Sequence, residues 1–104
     1  MSITEVGSLP EFRAQIKGKT SVVDFYATWC GPCKAISPIV EKLSDSYPQH
    51  KFFKVDVDQA NDIAREYGIS AMPTFLLFQD GVKVGQVVGA NPQGLKQAID
   101  QLEQ

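Results

Sequence analysis

Apolar and polar positions recur with two different periods along the chain, and these periods predict its elements. Runs rich in β-branched and aromatic residues predict strands near 3–6 and over 22–27, 51–57, 74–78 and 82–88. Apolar residues three and four positions apart predict helices over 8–17, from 33 to about 47, over 58–67 and after Asn91-Pro92. Asp80-Gly81, between the last two strands, predicts a tight hairpin turn, because this pair suits positive φ angles.

The order of these elements, β-α-β-α-β-α-β-β-α, predicts an α/β fold with one mixed five-stranded sheet flanked by four helices. The strand over 22–27 is apolar at nearly every position, which is typical of a central strand covered on both faces. Asp24 is the exception within it. The 104 residues contain no repeat or linker, so we expect a single domain over 1–104 that holds a core without a cross-link.

Composition excludes several classes of partner. The net charge is −2 and the lysines are scattered, which argues against nucleic-acid binding. The longest uncharged stretch, 67–79, is interrupted by Gly68 and Pro73 and is shorter than the ~20 apolar residues that span a bilayer. The first residues lack the basic and apolar segments of a signal peptide. We therefore expect no membrane partner and a reducing compartment, the cytoplasm, although a cleaved targeting sequence stays open.

The two cysteines of the chain form the motif Cys30-Gly31-Pro32-Cys33, between a predicted strand and a predicted helix. Residues three apart at a helix start have Cα atoms about 5 Å apart, within the range of about 4.4 to 6.8 Å that a disulfide accepts. The positive end of the helix favours the thiolate of Cys30 by about 0.3 to 1 kcal/mol. This position predicts that Cys30 attacks and that Cys33, one turn inside, resolves the mixed disulfide.

Two other interpretations of the cysteine pair are a zinc half-site and an inert structural disulfide. Structural zinc requires four ligands, and the chain offers two cysteines and the distant His50, which we interpret as a solvated loop residue without a role. A static disulfide is unexpected in a chain of this size without an export signal. We therefore predict no metal site. Elemental analysis tests the first alternative, and thiol titration with and without mild reductant tests the second.

The segment Trp29-Cys30-Gly31-Pro32-Cys33-Lys34, followed downstream by Met72-Pro73-Thr74, resembles the thioredoxin family, and the resemblance runs the full length. It implies a thioredoxin fold and a protein-disulfide reductase that works by dithiol–disulfide exchange. It implies no bound cofactor beyond the redox-active Cys30–Cys33 disulfide, which an NADPH-dependent flavoprotein, thioredoxin reductase, re-reduces.

The resemblance also implies disulfide-containing client proteins, such as peroxiredoxins, methionine sulfoxide reductases and ribonucleotide reductase. The Gly31-Pro32 spacer is similar to that of reducing family members. We expect a monomer, because no third cysteine is present for a covalent dimer that keeps the active pair intact. Non-covalent dimers stay open.

Asp24 is a candidate proton-transfer residue. Burial among apolar neighbours disfavours its charged form and is expected to raise its pKa. The alternative is a carboxylate paired with Lys54 on the next strand, and the residues alone do not separate the two. The resemblance to thioredoxin favours proton exchange with Cys33 through water.

Three residues next to the cysteines are expected to shape the site. Trp29 is expected to flank an exposed Cys30 and to supply apolar contact area, although tryptophan is more often core filler. Gly31 has no side chain to block an approaching disulfide, and Pro32 preorganises the first turn of the helix.

A second segment is expected to bind substrate. The resemblance implies that the Met72-Pro73 bond is cis and that Pro73 faces the cysteines. Because Pro73 lacks an N–H, the backbone of Met72 is left to pair with an extended client segment. Val88, Gly89 and Ala90 match the apolar loop that the family has beside its site, and a plain strand end is the alternative.

A binding module is the other class of function that we considered. In such a protein the apolar face around Trp29, Met72, Pro73 and Val88 would hold a partner without turnover. The presence of both an attacking and a resolving cysteine favours the enzyme.

Overall fold

A computed structural model describes residues 3–102 of the chain. The strands are β1 (Ile3–Glu5), β2 (Thr20–Tyr26), β3 (Lys51–Asp56), β4 (Thr74–Gln79) and β5 (Val82–Val88). The helices are α1 (Leu9–Ile16), α2 (Gly31–Ser46), α3 (Asn61–Glu66) and α4 (Pro92–Asp100). Along the described residues the predicted element order is confirmed.

The five strands form one mixed sheet in the order β1-β3-β2-β4-β5. β1, β3 and β2 run parallel, whereas β4 is antiparallel to both β2 and β5. The predicted mixed five-stranded sheet with four helices is therefore confirmed. β2 lies at its centre, as the apolar pattern of this strand predicts.

Alternate residues of β2 enter two separate cores. Val22 packs with side chains of α2 and α4, among them Ile36 and Ile99. Val23 faces the opposite side and packs with Phe12 of α1 and Ile63 of α3. The period of two along a strand thus places one pair of helices on each face of the sheet.

The start of α3 is the main difference from the sequence prediction. A helix over 58–67 was expected, but α3 begins at Asn61. The Asp56 carboxylate accepts hydrogen bonds from the backbone N–H groups of Asp58 (2.9 Å) and Gln59 (3.4 Å). These bonds hold the segment in a turn and compete with the helical pattern.

His50 also differs from its prediction. It was expected to be a solvated loop residue, but only 3% of its surface is exposed. Its ring stacks on Tyr47, with centroids 6.1 Å apart, and its Nδ1 lies 2.6 Å from Thr20 Oγ1. His50 lies between the exposed residues Gln49 and Lys51, but it precedes β3 on the face that carries Phe52, and this face is covered.

The predicted turn at Asp80-Gly81 is confirmed, since both residues have positive φ angles, 50° and 81°. No helix within residues 3–102 is long and apolar enough to cross a membrane.

Candidate active site

Cys30 caps the N-terminus of α2, and Cys33 lies in the first turn. The two form a disulfide, with Cα atoms 5.3 Å apart. The backbone N–H of Cys33 donates a hydrogen bond to Cys30 Sγ at 3.1 Å. An amide that points at this sulfur from a helix N-terminus stabilises negative charge on it, as an attacking thiolate requires.

Exposure does not distinguish the two cysteines. Cys30 was expected to be exposed, but it retains only 5% of its surface and Cys33 retains 6%. The reason is that Ala27 and Met72 pack against the pair. Their surroundings do differ, because Cys30 Sγ lies 3.7 Å from the carbonyl oxygen of Met72, whereas Cys33 lines a pocket behind the disulfide.

This proton pocket, as we call it, has a volume of about 250 Å³. Its lining comprises Asp24, Tyr26, Ala27, Thr28, Cys33, Lys34, Ser37 and Lys54. Oδ1 of Asp24 is buried and has no hydrogen-bond partner among the described residues. Burial raises the pKa of Asp24 to about 7, although the positive charge of Lys54 opposes the rise. Asp24 therefore changes charge near neutral pH, beside Cys33.

Lys54 is the direct neighbour of Asp24 in the pairing of β2 with β3. Among the ion pairs between residues 3 and 102, none joins the two side chains. The Lys54 ammonium instead lies over the ring of Tyr26, 5.8 Å from its centroid. The contact ion pair between Asp24 and Lys54, which was the alternative, is therefore not formed. The charge of Lys54 acts on Asp24 from a distance.

Apolar side chains from the segments next to the disulfide form what we call the apolar rim. Trp29 is 66% exposed and Val88 is 53% exposed, and the indole N–H of Trp29 donates to Asp58 Oδ2 at 2.9 Å. Met72 is partly buried. Large apolar side chains thus lie at the surface beside two nearly covered sulfur atoms.

Pro73 contributes less to this rim than the sequence suggested, because its side chain is buried. The Met72-Pro73 bond is cis, as the resemblance implies. The carbonyl of Pro73 accepts a hydrogen bond from the N–H of Gly89 at 2.8 Å, and Ala90 next to it is exposed. The segments around residues 72–73 and 88–90 are therefore joined, and both lie at the rim.

Gly31 and Pro32 form the exposed first turn of α2. A Cβ atom built on Gly31 would meet nothing within 4 Å, so the fold itself does not require glycine there. Steric contact within the fold therefore gives no reason for glycine at this position.

Tyr26 and Asp58 are among the residues at the site that the sequence analysis did not single out. Tyr26 lines the proton pocket, and it could have been found from the period of two, since it lies two positions after Asp24 on the same face of β2. Asp58 orients Trp29, but it comes from the turn before α3. No local pattern joins these two positions.

Within residues 3–102, no group of three or more histidine, cysteine or acidic side chains is arranged to hold a metal ion. His50, the remaining candidate ligand of a zinc site, lies beyond the C-terminal end of α2 and contacts Thr20 and Tyr47. The disulfide is at the opposite end of this helix.

The chain is similar in sequence and in fold to known proteins. The family model described as Thioredoxin matches residues 4–101. Thioredoxin-1 of Saccharomyces cerevisiae is 54% identical over 98 residues, which cover 93% of this chain and 95% of that protein. The crystal structure of oxidised mitochondrial thioredoxin 3 from Saccharomyces cerevisiae is 50% identical, with a TM-score of 0.93 and coverage of 97% and 96% of the two chains.

A second solved structure superposes equally well. It belongs to a study of the thiol resolving mechanism in yeast mitochondrial 1-Cys peroxiredoxin via glutathione/thioredoxin systems. Its matching chain is 49% identical, with a TM-score of 0.93 and coverage of 97% of this chain and 96% of that one.

Proposed function

The chain belongs to the thioredoxin family, and from this premise we propose that it reduces disulfide bonds of client proteins. It is a thiol–disulfide oxidoreductase with a redox-active cysteine pair. The observation that carries the proposed direction and mechanism is the asymmetry of this pair. Cys30 Sγ lies beside the apolar rim and accepts a hydrogen bond from the backbone N–H of Cys33 at the start of α2. Cys33 lines the proton pocket together with Asp24.

The first step starts from the reduced protein. The thiolate of Cys30 attacks one sulfur of a client disulfide, so that a bond forms between Cys30 Sγ and that sulfur. The bond between the two client sulfurs breaks, and the second client sulfur leaves as a thiolate that takes up a proton. The N–H of Cys33, 3.1 Å from Cys30 Sγ, stabilises the attacking charge. Trp29 and Val88 supply apolar contact area for the client.

The second step resolves the mixed disulfide. Cys33 gives its proton to the carboxylate of Asp24, through water in the proton pocket, and its thiolate attacks Cys30 Sγ. The Cys30–Cys33 disulfide forms, and the remaining client sulfur leaves as a thiolate. Two electrons have then passed from the cysteine pair to the client disulfide. The pKa of Asp24, about 7, suits this exchange at neutral pH.

Recycling requires an external electron donor. We propose that an NADPH-dependent thioredoxin reductase returns two electrons to the Cys30–Cys33 disulfide. For clients, the matching chain from the structural study of a yeast 1-Cys peroxiredoxin supports a peroxiredoxin as the first candidate. Methionine sulfoxide reductases and ribonucleotide reductase are further candidates from the family resemblance.

We propose the cytoplasm as the place of action, because a pair that must be kept reduced requires a reducing compartment. The mitochondrial thioredoxin 3 among its relatives makes the mitochondrial matrix the alternative. Fractionation of the source cells with an antibody to the chain tests this, and enrichment with a matrix marker would contradict the proposal.

Reduction of insulin disulfides by dithiothreitol tests the activity. The wild-type protein is expected to accelerate the reaction with turnover, and Cys30→Ser is expected to abolish the acceleration while the circular dichroism spectrum stays unchanged. A binding module would bind clients equally well with either sequence and would accelerate nothing. Equilibration with glutathione tests the direction, since a reduction potential of about −180 mV, typical of protein disulfide isomerase, would indicate an oxidant instead.

A further inference from the structure

Three neighbouring strands place a lysine between two carboxylates. In the parallel part of the sheet, Lys54 of β3 pairs with Glu5 of β1 on one side and with Asp24 of β2 on the other. Side chains at one level of a parallel sheet point to the same face. The ammonium of Lys54 can therefore move toward either carboxylate, and only one of these, Asp24, lines the proton pocket beside Cys33.

Tyr26 connects the members of this row. Its hydroxyl donates a hydrogen bond of 2.7 Å to Glu5 Oε2, and its ring lies beneath the Lys54 ammonium. Burial and the bond to Glu5 raise the pKa of Tyr26 well above its ordinary value. The hydroxyl thus stays protonated and remains a donor to Glu5 throughout the pH range in which Asp24 titrates.

We propose that Tyr26 is a positioning residue for Lys54: its hydroxyl binds the Glu5 carboxylate, which competes for the ammonium, its ring holds the ammonium, and the lysine charge stays directed at Asp24. Without the Tyr26 hydroxyl, the Glu5 carboxylate would lose this hydrogen bond and would compete more strongly with Asp24 for the Lys54 ammonium. The pair would then set the pH range in which Asp24 changes charge. The consequence for client reduction rests on the proton transfer proposed above, but the effect on Asp24 does not.

Other titratable groups face Asp24 and have to be held constant in a test. The proton pocket contains Cys33 and Lys34 of α2 as well as Tyr26 and Lys54. Asp56, at the end of β3, acts on Tyr26 through its charge. In the oxidised protein Cys33 is in the disulfide and does not titrate. A titration of the oxidised form therefore isolates Asp24 from the thiols.

The test is a titration of the Asp24 carboxyl carbon by NMR in the oxidised protein, for Tyr26→Phe, Glu5→Gln and the double variant. Tyr26→Phe keeps the ring and removes the bond to Glu5. It is expected to raise the midpoint by about 0.2 to 0.7 pH units, the size of an exposed charge-pair effect. Glu5→Gln is expected to lower the midpoint. In the Glu5→Gln background, Tyr26→Phe is expected to change nothing further.

Tyr47→Phe is the matched control. It removes a tyrosine hydroxyl that donates to an exposed carboxylate, Asp100, beyond the far end of α2. Its Asp24 midpoint is expected to equal that of the wild type. An equal shift by Tyr26→Phe in both backgrounds would overturn the proposal, since it would show a change in desolvation rather than competition by Glu5. No shift in Tyr26→Phe, or a downward one, would also overturn it.

The kinetic consequence is measured separately, as the pH dependence of mixed-disulfide resolution in the reduced protein. Its midpoint is expected to move with that of Asp24 in each variant. If the NMR midpoints shift as expected and the kinetic ones do not, the positioning of Lys54 stands and the proton-transfer role of Asp24 fails.

Discussion

Asp24 owes its chemistry to its place on β2. The residue interrupts an apolar strand, and from this pattern alone the direction of its pKa shift could be predicted. The pKa rises to about 7 because burial opposes the charged form more strongly than Lys54 supports it. The sequence did not show whether Asp24 forms a contact ion pair with Lys54 or is a proton-transfer group, because the answer depends on where the Lys54 side chain lies. Its ammonium lies over Tyr26.

Asp24 also predicts a pH dependence of stability. The unfolded chain ionises this carboxyl near pH 4, whereas the folded protein keeps its proton until about pH 7. Between these values the folded state binds more protons, so the free energy of unfolding falls as the pH rises and levels off above pH 7. Asn does not titrate, so Asp24→Asn removes this loss. The unfolding free energy of the oxidised variant minus that of oxidised wild type is expected to be larger at pH 8 than at pH 3 by up to about 4 kcal/mol.

Urea unfolding of wild type and Asp24→Asn between pH 3 and pH 8 measures the difference. The difference in unfolding free energy is expected to grow with pH in favour of the variant. A difference that is the same at both ends of the range would show that folding does not raise the pKa of Asp24 and would contradict the prediction.

His50 shows the limit of prediction at the scale of single residues. It was expected to be a solvated loop residue, but the ring is buried on Tyr47 and its Nε2 has no partner among the described residues. Burial lowers the pKa of His50 below 6.5. Nothing local to positions 49–51 reveals this, because the side chains that cover the ring come from other elements.

Acid should therefore destabilise the fold through His50. As the pH falls through 6.5, the unfolded chain takes up a proton that the folded protein resists, so the free energy of unfolding falls until the lower folded pKa is reached. His50→Gln does not titrate and can still meet Thr20 Oγ1. It is expected to lose less stability than wild type between pH 7.5 and pH 5, as measured by urea unfolding. Equal losses in the two proteins would contradict the assignment.

At the scale of elements, most boundaries follow from the sequence. The hydrophobic periods predict the type and order of all nine elements of the described chain. The predicted start of α3 was wrong, because the Asp56 carboxylate accepts hydrogen bonds from two backbone N–H groups of the following turn. A hydrogen bond from a turn to a side chain at the end of the preceding strand is a specific contact, and apolar periodicity does not predict it.

Two glycines beside the site have different reasons for being glycine, and alanine substitutions separate them. At Gly89 the φ angle is +94°, so Gly89→Ala is expected to lower the free energy of unfolding by about 1 to 2 kcal/mol. At Gly31 a Cβ meets nothing, so Gly31→Ala is expected to leave stability within about 0.5 kcal/mol of wild type. Urea unfolding measures both values.

The activity of Gly31→Ala completes this comparison. The variant is expected to reduce a small aromatic disulfide as fast as wild type and to reduce insulin more slowly, because only the larger client packs against the first turn of α2. Equal rates with insulin would show that clients do not approach at Gly31.

At the scale of the whole molecule, topology assembles the site. The parallel strands β2 and β3 end at the edge of the sheet where α2 begins, and the antiparallel β4 starts there. Met72 is thereby brought to Cys30 across 42 positions of the chain. The element order predicts the sheet. The contact between the Cys30 segment and the Met72-Pro73 segment was predicted only from the resemblance to thioredoxins, since neither periodicity nor spacing joins them.

Attack by Cys30 and resolution by Cys33 are tested most directly by trapping the mixed disulfide. The reduced Cys33→Ser and Cys30→Ser variants are each mixed with a disulfide-containing client, and the products are identified by intact mass and peptide mapping. Cys33→Ser is expected to accumulate a covalent adduct through Cys30, and Cys30→Ser is expected to form little or none. Equal accumulation of an adduct through Cys33 would contradict the assigned roles.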